Sequence, residues 1–177
     1  MRVVPSEGAG ELDLRGHTLV LPGCGGVAHL SELCVDALVT TYGLSRVAFV
    51  QTRHVLPVAM ISAWSTPGSA ADPLAITTAV ELYQGANAPG LTVLQIRSAA
   101  LDGHRQALAR EILSWTREAG VAKILMLASC SAHVKRDADL DSSSELRSIW
   151  VGGGIASEAS TGKLDVNPLG HSVPEEE

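Results

Sequence analysis

The sequence predicts an α/β domain built on a mixed, largely parallel sheet with flanking helices. Three observations carry this. Short apolar runs bounded by Gly and Pro alternate with segments whose apolar residues recur every three or four positions. A strand, a helix and a strand fall within about 30 residues, the length of a βαβ unit. Two strand-like runs flank a single loop containing Gly and Pro, which adds a hairpin to the sheet.

Taken in order, residues 1–15 contain Gly, Glu and Pro without periodicity, and are expected to form a flexible N-terminal arm. Thr18-Leu19-Val20-Leu21, stopped by Pro22 and Gly23, reads as a buried strand. Val27, Leu30, Cys34, Ala37, Leu38 and Thr41 share one face of a helix over 27–42, and Gly43 stands where a C-cap glycine belongs. Arg46 to Val50 is a second strand, expected parallel to the first through a right-handed crossover. Val55 to Ile61 is apolar but broken by Pro57. A proline cannot donate to a ladder, so this is an edge strand or an extended surface segment.

Residues 62–73 are rich in Ser, Pro, Gly and Ala and read as a loop. Thr78 to Gln84 and Leu91 to Ser98 form the hairpin around residues 85–90. Leu108, Ile112, Trp115 and Ala119 line one face of a helix over 101–119 that Gly120 ends, and Val121 to Ser129 is a further strand. Past Trp150 large apolar residues become few; Gly152-Gly153-Gly154 opens this stretch and Glu175-Glu176-Glu177 closes it. Such a segment buries too little apolar surface to offset its ordering entropy. The expected organisation is an arm over 1–15, an α/β domain over 16–150 and a disordered acidic tail over 151–177.

Composition limits the function. The 177 residues are 46% hydrophobic but only 3% aromatic, so the core is aliphatic. Charged residues are 18%, below the usual quarter or so, which leaves apolar surface for a partner to cover. A net charge of −6 without a Lys/Arg cluster argues against nucleic-acid and membrane-surface binding, both of which need a cationic face. Cys24, Cys34 and Cys130 are too few and too scattered for a disulfide framework, which points to a reducing compartment. The first 16 residues lack the apolar core of a signal peptide, and no apolar run approaches the roughly 20 residues of a membrane span.

Gly23-Cys24-Gly25-Gly26-Val27-Ala28 fits the dinucleotide pattern G-x-G-x-x-[GA] between a strand and a helix. Against it, Pro22 separates the strand from the first glycine, and Gln51-Thr52 stands where a ribose-binding acid belongs; Arg53 gives weak support for a 2′-phosphate. The alternative function is therefore an NAD(P)-dependent oxidoreductase using turn 23–28, and the simpler reading is a glycine-rich turn with no cofactor. Cys130 and His133, with Asp137 and Asp139 nearby, could form a thiolate pair, but three residues apart on an irregular loop fixes no geometry. Ser129, Ser131, Lys135 and Arg136 complete an ordinary polar loop. His17, His29, His54, His104, His133 and His171 show no metal-ligand spacing. Asp36, a lone acid among apolar neighbours, is expected to face solvent, and Trp115 to belong to the core. No catalytic, cofactor or metal residue is assigned.

The order of segments resembles the proteasome assembly chaperone 2 family. The similarity runs over about residues 16–150. It rests on Thr18 to Pro22, Leu33-Cys34-Val35-Asp36-Ala37-Leu38, Leu44 to Phe49, Leu56-Pro57-Val58, Ala79 to Tyr83, Leu94-Gln95-Ile96-Arg97-Ser98, Leu113-Ser114-Trp115 and Ile124 to Ser129. The resemblance implies a fold like that of purine nucleoside phosphorylases without their activity. It implies a non-enzymatic chaperone that pairs with a proteasome assembly chaperone 1-like protein as a heterodimer, meets proteasome α-subunits and helps build the α-ring, in cytoplasm and nucleus. Family members continue past the point where this chain becomes acidic, so the C-terminal part of the fold is expected to be missing. The glycine stretch is one residue longer than the family pattern.

Overall fold

A computed structural model describes residues 1–8, 12–23, 27–61, 76–129 and 131, and the dipeptides Arg147–Ser148 and Asn167–Pro168. The chain divides into two units, Met1–Cys130 and Ser131–Glu177. In the second, the two dipeptides (β9 and β10) pair in parallel. The expected tail otherwise lies outside the described residues.

The first unit holds a six-stranded sheet formed by β1 (Arg2–Pro5), β2 (Thr18–Pro22), β3 (Ser45–Gln51), β6 (Val80–Gln84), β7 (Leu91–Ile96) and β8 (Lys123–Leu127), in the order β1-β3-β6-β7-β2-β8. β7, β2 and β8 pair in parallel, and β6 pairs antiparallel with both β7 and β3, as β1 does with β3. β3 therefore runs the same way as β2, β7 and β8, giving the mixed α/β sheet that the sequence predicts. β2 and β3 are parallel as expected, but β7 and β6 stand between them.

The cause of that separation is the hairpin. β6 and β7 are joined by a short turn with Gly90 at φ 78°, and they enter the sheet as a pair between β2 and β3. The segment expected as a loose arm contributes β1, whose Val3 pairs with Val50 and packs on the core. Its alternation was too short to read, and the sheet edge offered by β3 orders it. Val55 to Ile61 stays out of the main sheet, as its proline requires. Val55 bridges Ala100, and β4 (Ala59–Ile61) pairs with β5 (Ile76–Thr78) in a separate two-stranded ribbon.

Both helices end in the same way. α1 (Leu30–Thr41) is preceded by one 3-10 turn, Val27–His29, and α2 spans Arg105–Glu118. After α1, Gly43 at φ 59° donates to the Thr40 carbonyl and Leu44 to that of Val39. After α2, Gly120 at φ 71° donates to Arg117 and Val121 to Thr116. Each pair of bonds satisfies the last carbonyls through a left-handed glycine, which a side chain would strain.

The helices lie on opposite faces. Leu108 and Ile112 of α2 pack with Leu19, Leu21, Leu82 and Leu94, with Trp115 half-buried beside them. Val35 and Val39 of α1 pack with Val20, Tyr83 and Val93. The face of α1 predicted to be buried is thus not the one that packs. Ser31, Val35, Asp36 and Val39 are buried, whereas of the predicted face Val27, Leu30, Cys34, Ala37 and Thr41 are exposed and Leu38 alone packs, partly buried, against the sheet.

Candidate interaction surface

Buried charge fixes α1 to the sheet. Asp36, expected to face solvent, is buried and accepts hydrogen bonds from Gln95 Nε2 and from Arg97 Nη1 at 2.9 Å. Beside it Glu81, fully buried, accepts from Arg46 Nη1 at 3.0 Å, from the Thr78 N–H at 2.9 Å and from the Tyr83 hydroxyl at 2.7 Å. Burial pushes the Tyr83 phenol up to about 12, and its bond to the Glu81 carboxylate adds to the rise. Burial alone would lower the Arg97 guanidinium, but its bonds to Asp36 and Tyr83 raise it instead. These groups have acid–base chemistry, but Glu81 has no exposure through which a substrate could reach it. The network holds the helix in place.

The glycine turn has a packing role at its described end. A Cβ on Gly23 would stand 3.1 Å from Ala128 Cβ and 3.3 Å from the Leu127 carbonyl, to which the Gly23 N–H donates. Gly23 therefore lets β2 close against the end of β8. Residues 24–26 lie outside the described residues. Ala28 and His29 take left-handed conformations at the start of α1, and no side chain caps the helix. The nearby cavity, lined by Gly23, Glu32, Ile96 and Arg97 among others, is about 80 Å³. A ligand cleft is usually several hundred Å³. The strand after α1 is not a neighbour of β2, so the end of β3 at Gln51 is not beside Gly23, as a ribose-binding acid would be.

The other singled-out groups separate. Cys34 lies exposed on α1; Cys24, Cys130, His133, Asp137, Asp139 and His171 lie outside the described residues. His54 and His104 come together, Nδ1 to Nδ1 at 3.0 Å, with His54 Nε2 at 3.9 Å from Glu111. Glu111 also bonds Thr52 and the Met1 amine, so this cluster ties β1, the segment after β3 and α2 together. His17 bonds Thr92 at 2.9 Å. Among the described residues no three His, Cys, Asp or Glu could hold a metal ion, and no helix is long and apolar enough to cross a membrane.

What the first unit does present is apolar surface. Val27 in the 3-10 turn and Leu30 and Leu33 on α1 are exposed, as are Ile124, Leu125 and Met126 along β8, Met126 at 60%. The Ser129 hydroxyl donates to the Val27 carbonyl at 3.2 Å, so the start of α1 adjoins the end of β8. On the β4–β5 ribbon Ile61 and Ile76, opposite each other in register, are exposed on one face and Met60 on the other. Clustered large apolar side chains of this kind suit contact with protein. Sequence reasoning missed the buried pairing of Asp36 with Arg97 and of Glu81 with Arg46 and Tyr83. A charged residue inside Val80-Glu81-Leu82-Tyr83 was the available signal.

The fold is thus that of a mixed α/β domain with large apolar side chains exposed on α1 and β8. The model of the PAC2 family matches residues 20–167, and the chain belongs to that family. Proteasome assembly chaperone 2 of Danio rerio is 27% identical over 135 residues, covering 76% of this chain and 50% of that protein. The Mus musculus and Homo sapiens proteins of the same name are 26% and 25% identical over 130 residues, each covering 73% of this chain and 48% of the relative. The chain spans about half the length of these curated relatives. The crystal structure of Pyrococcus furiosus PbaA, described as an archaeal homolog of proteasome-assembly chaperone, shares the fold. Its TM-score is 0.51 at 14% identity, over 77% of this chain and 51% of that one.

Proposed function

We propose that this chain is a non-enzymatic chaperone of proteasome assembly. With a proteasome assembly chaperone 1-like partner it forms a heterodimer that meets α-subunits and promotes assembly of the core α-ring, in cytoplasm and nucleus. The observation that carries the reading is the family match over residues 20–167 together with relatives named for that role. The exposed apolar side chains of α1 and β8 support it, because they suit a protein ligand better than a small polar one. The dinucleotide reading of turn 23–28 loses support from the placement of β3 away from β2.

The test is affinity capture of the intact chain from cell extract, with mass identification of what it retains. Recovery of proteasome α-subunits and a proteasome assembly chaperone 1-like protein is expected. A preparation that retains neither, while binding NAD or NADP with a Kd below about 100 μM, would restore the oxidoreductase.

A further inference from the structure

His54 and His104 meet where two loops are joined. His54 follows β3 and is 7% exposed. His104 is the N-cap residue of α2, but its side chain does not cap the helix. The rings are tilted by 51° and touch through their Nδ1 atoms, 3.0 Å apart, rather than face to face. Two ring nitrogens bond at that distance only when one carries a hydrogen and the other offers a lone pair. The contact therefore has room for one proton and not for two.

Around this contact the backbone makes a junction. The Leu101 N–H donates to the His54 carbonyl at 2.9 Å, and the Leu56 N–H to that of Ala99 at 3.2 Å. The Ser98 hydroxyl donates to the Leu56 carbonyl at 2.7 Å, and Val55 bridges Ala100. The junction thus holds the segment leading from β3 into β4 on the loop leading from β7 into α2.

The charges around the pair decide how many protons it accepts. Among the described residues, Glu111 of α2 lies 3.9 Å from His54 Nε2 and is itself bonded by Thr52 and by the Met1 amine of β1. The chain neighbours Arg53, Asp102 and Arg105 are exposed. A first proton is accommodated, because His54 then donates from Nδ1 to His104 and points its Nε2–H at the Glu111 carboxylate. A second puts hydrogen on both Nδ1 atoms and sets two imidazolium rings against each other. One carboxylate, already shared with the Met1 amine, does not offset both.

We infer that His54 and His104 form an acid-released latch. It keeps the junction closed while the pair holds at most one extra proton, and the junction opens once both rings are charged. The open junction binds one proton more than the closed one, so falling pH favours it. What is released is the lead-in to the β4–β5 ribbon and the loop before α2, while the six-stranded sheet stays folded. The latch involves no proteasome component and is independent of the chaperone role.

Hydrogen exchange of the full 177-residue chain tests it between about pH 8 and about pH 5, the range in which imidazoles charge. After correction for intrinsic exchange, protection of the Leu56 and Leu101 amides should fall at least about tenfold across that range. The amide of Val93, inside the sheet, should keep its protection within about twofold. His104→Asn does not titrate, so in that variant Leu56 and Leu101 should stay protected at the acid end. Imidazole nitrogen-15 spectra of the unmodified chain need no variant. At the alkaline end one ring of the pair should carry its hydrogen on Nδ1 and the other on Nε2; at the acid end both rings should carry both. Protection that ignores pH, or that is lost equally in His104→Asn, would overturn the inference. So would an equal loss at Val93, which is unfolding of the whole sheet, or two rings protonated on Nε2 alone at the alkaline end.

Discussion

Asp36 shows how a single residue escapes sequence reasoning. An acid on a largely apolar helix is ordinarily a solvent-facing residue, because an unpaired buried carboxylate is too costly. Its partners Gln95 and Arg97 lie 59 and 61 residues further along, and only the fold brings them within reach. Removing one member of a buried pair leaves the other charged and unpaired. Asp36→Ala should therefore lower the free energy of unfolding by about 3–5 kcal/mol in urea titration, and a loss under about 1 kcal/mol would mean that Arg97 finds water instead. Tyr83 gives the matching pH signature. A phenol held at about 12 in the fold, against about 10 in an unfolded chain, contributes stability that is complete below pH 10 and is lost as the pH rises towards 12. Absorbance titration of the phenolate near 295 nm should show a late step at about pH 12 that Tyr83→Phe removes. If both tyrosines of the chain have ionised by about pH 11, the bond to the Glu81 carboxylate is not holding the proton.

At the scale of elements, legibility followed how decisively each pattern excluded alternatives. α2 has one apolar face, and Leu108 and Ile112 pack as their spacing requires. The glycine ends of both helices were readable because a left-handed C′ position selects glycine strongly. α1 was located correctly but turned the wrong way, since it is apolar around most of its circumference. Two stripes satisfy the same spacing, Leu30-Cys34-Ala37-Thr41 and Ser31-Val35-Val39, and only contact with Val20 and Val93 chooses between them. The choice has a direct test. Val35→Ala should destabilise by on the order of 2 kcal/mol, whereas Leu33→Ala should stay within about 0.5 kcal/mol. Equal losses would mean that α1 is packed on both sides. β1 was missed because four residues next to Gly and Pro give no usable alternation; its order comes from the edge of β3. The insertion of the β6–β7 hairpin between β2 and β3 was likewise invisible, as local sequence sets which segments are strands and not their order across the sheet.

For the whole molecule, a low charged fraction, an aliphatic core and an acidic balance pointed to a protein-binding domain, and the exposed residues of α1 and β8 give that expectation a location. The exposed apolar surface could not be read in advance, because the same Leu and Ile residues that mark it also mark a core. Its composition is that of an interior, so a protein that covered it would bring matching apolar surface. A partner that binds only the folded chain stabilises it by about 2.7 kcal/mol at a hundredfold excess over Kd, which for a domain of this size is a rise of about 5–10 °C in melting temperature. Thermal melting of the intact chain with a purified proteasome assembly chaperone 1-like partner tests the proposed chaperone role. A rise of that size is expected, together with a heterodimer on size-exclusion chromatography. A melting temperature indifferent to the partner, from a chain that elutes as a well-folded monomer beside it, would rule that role out.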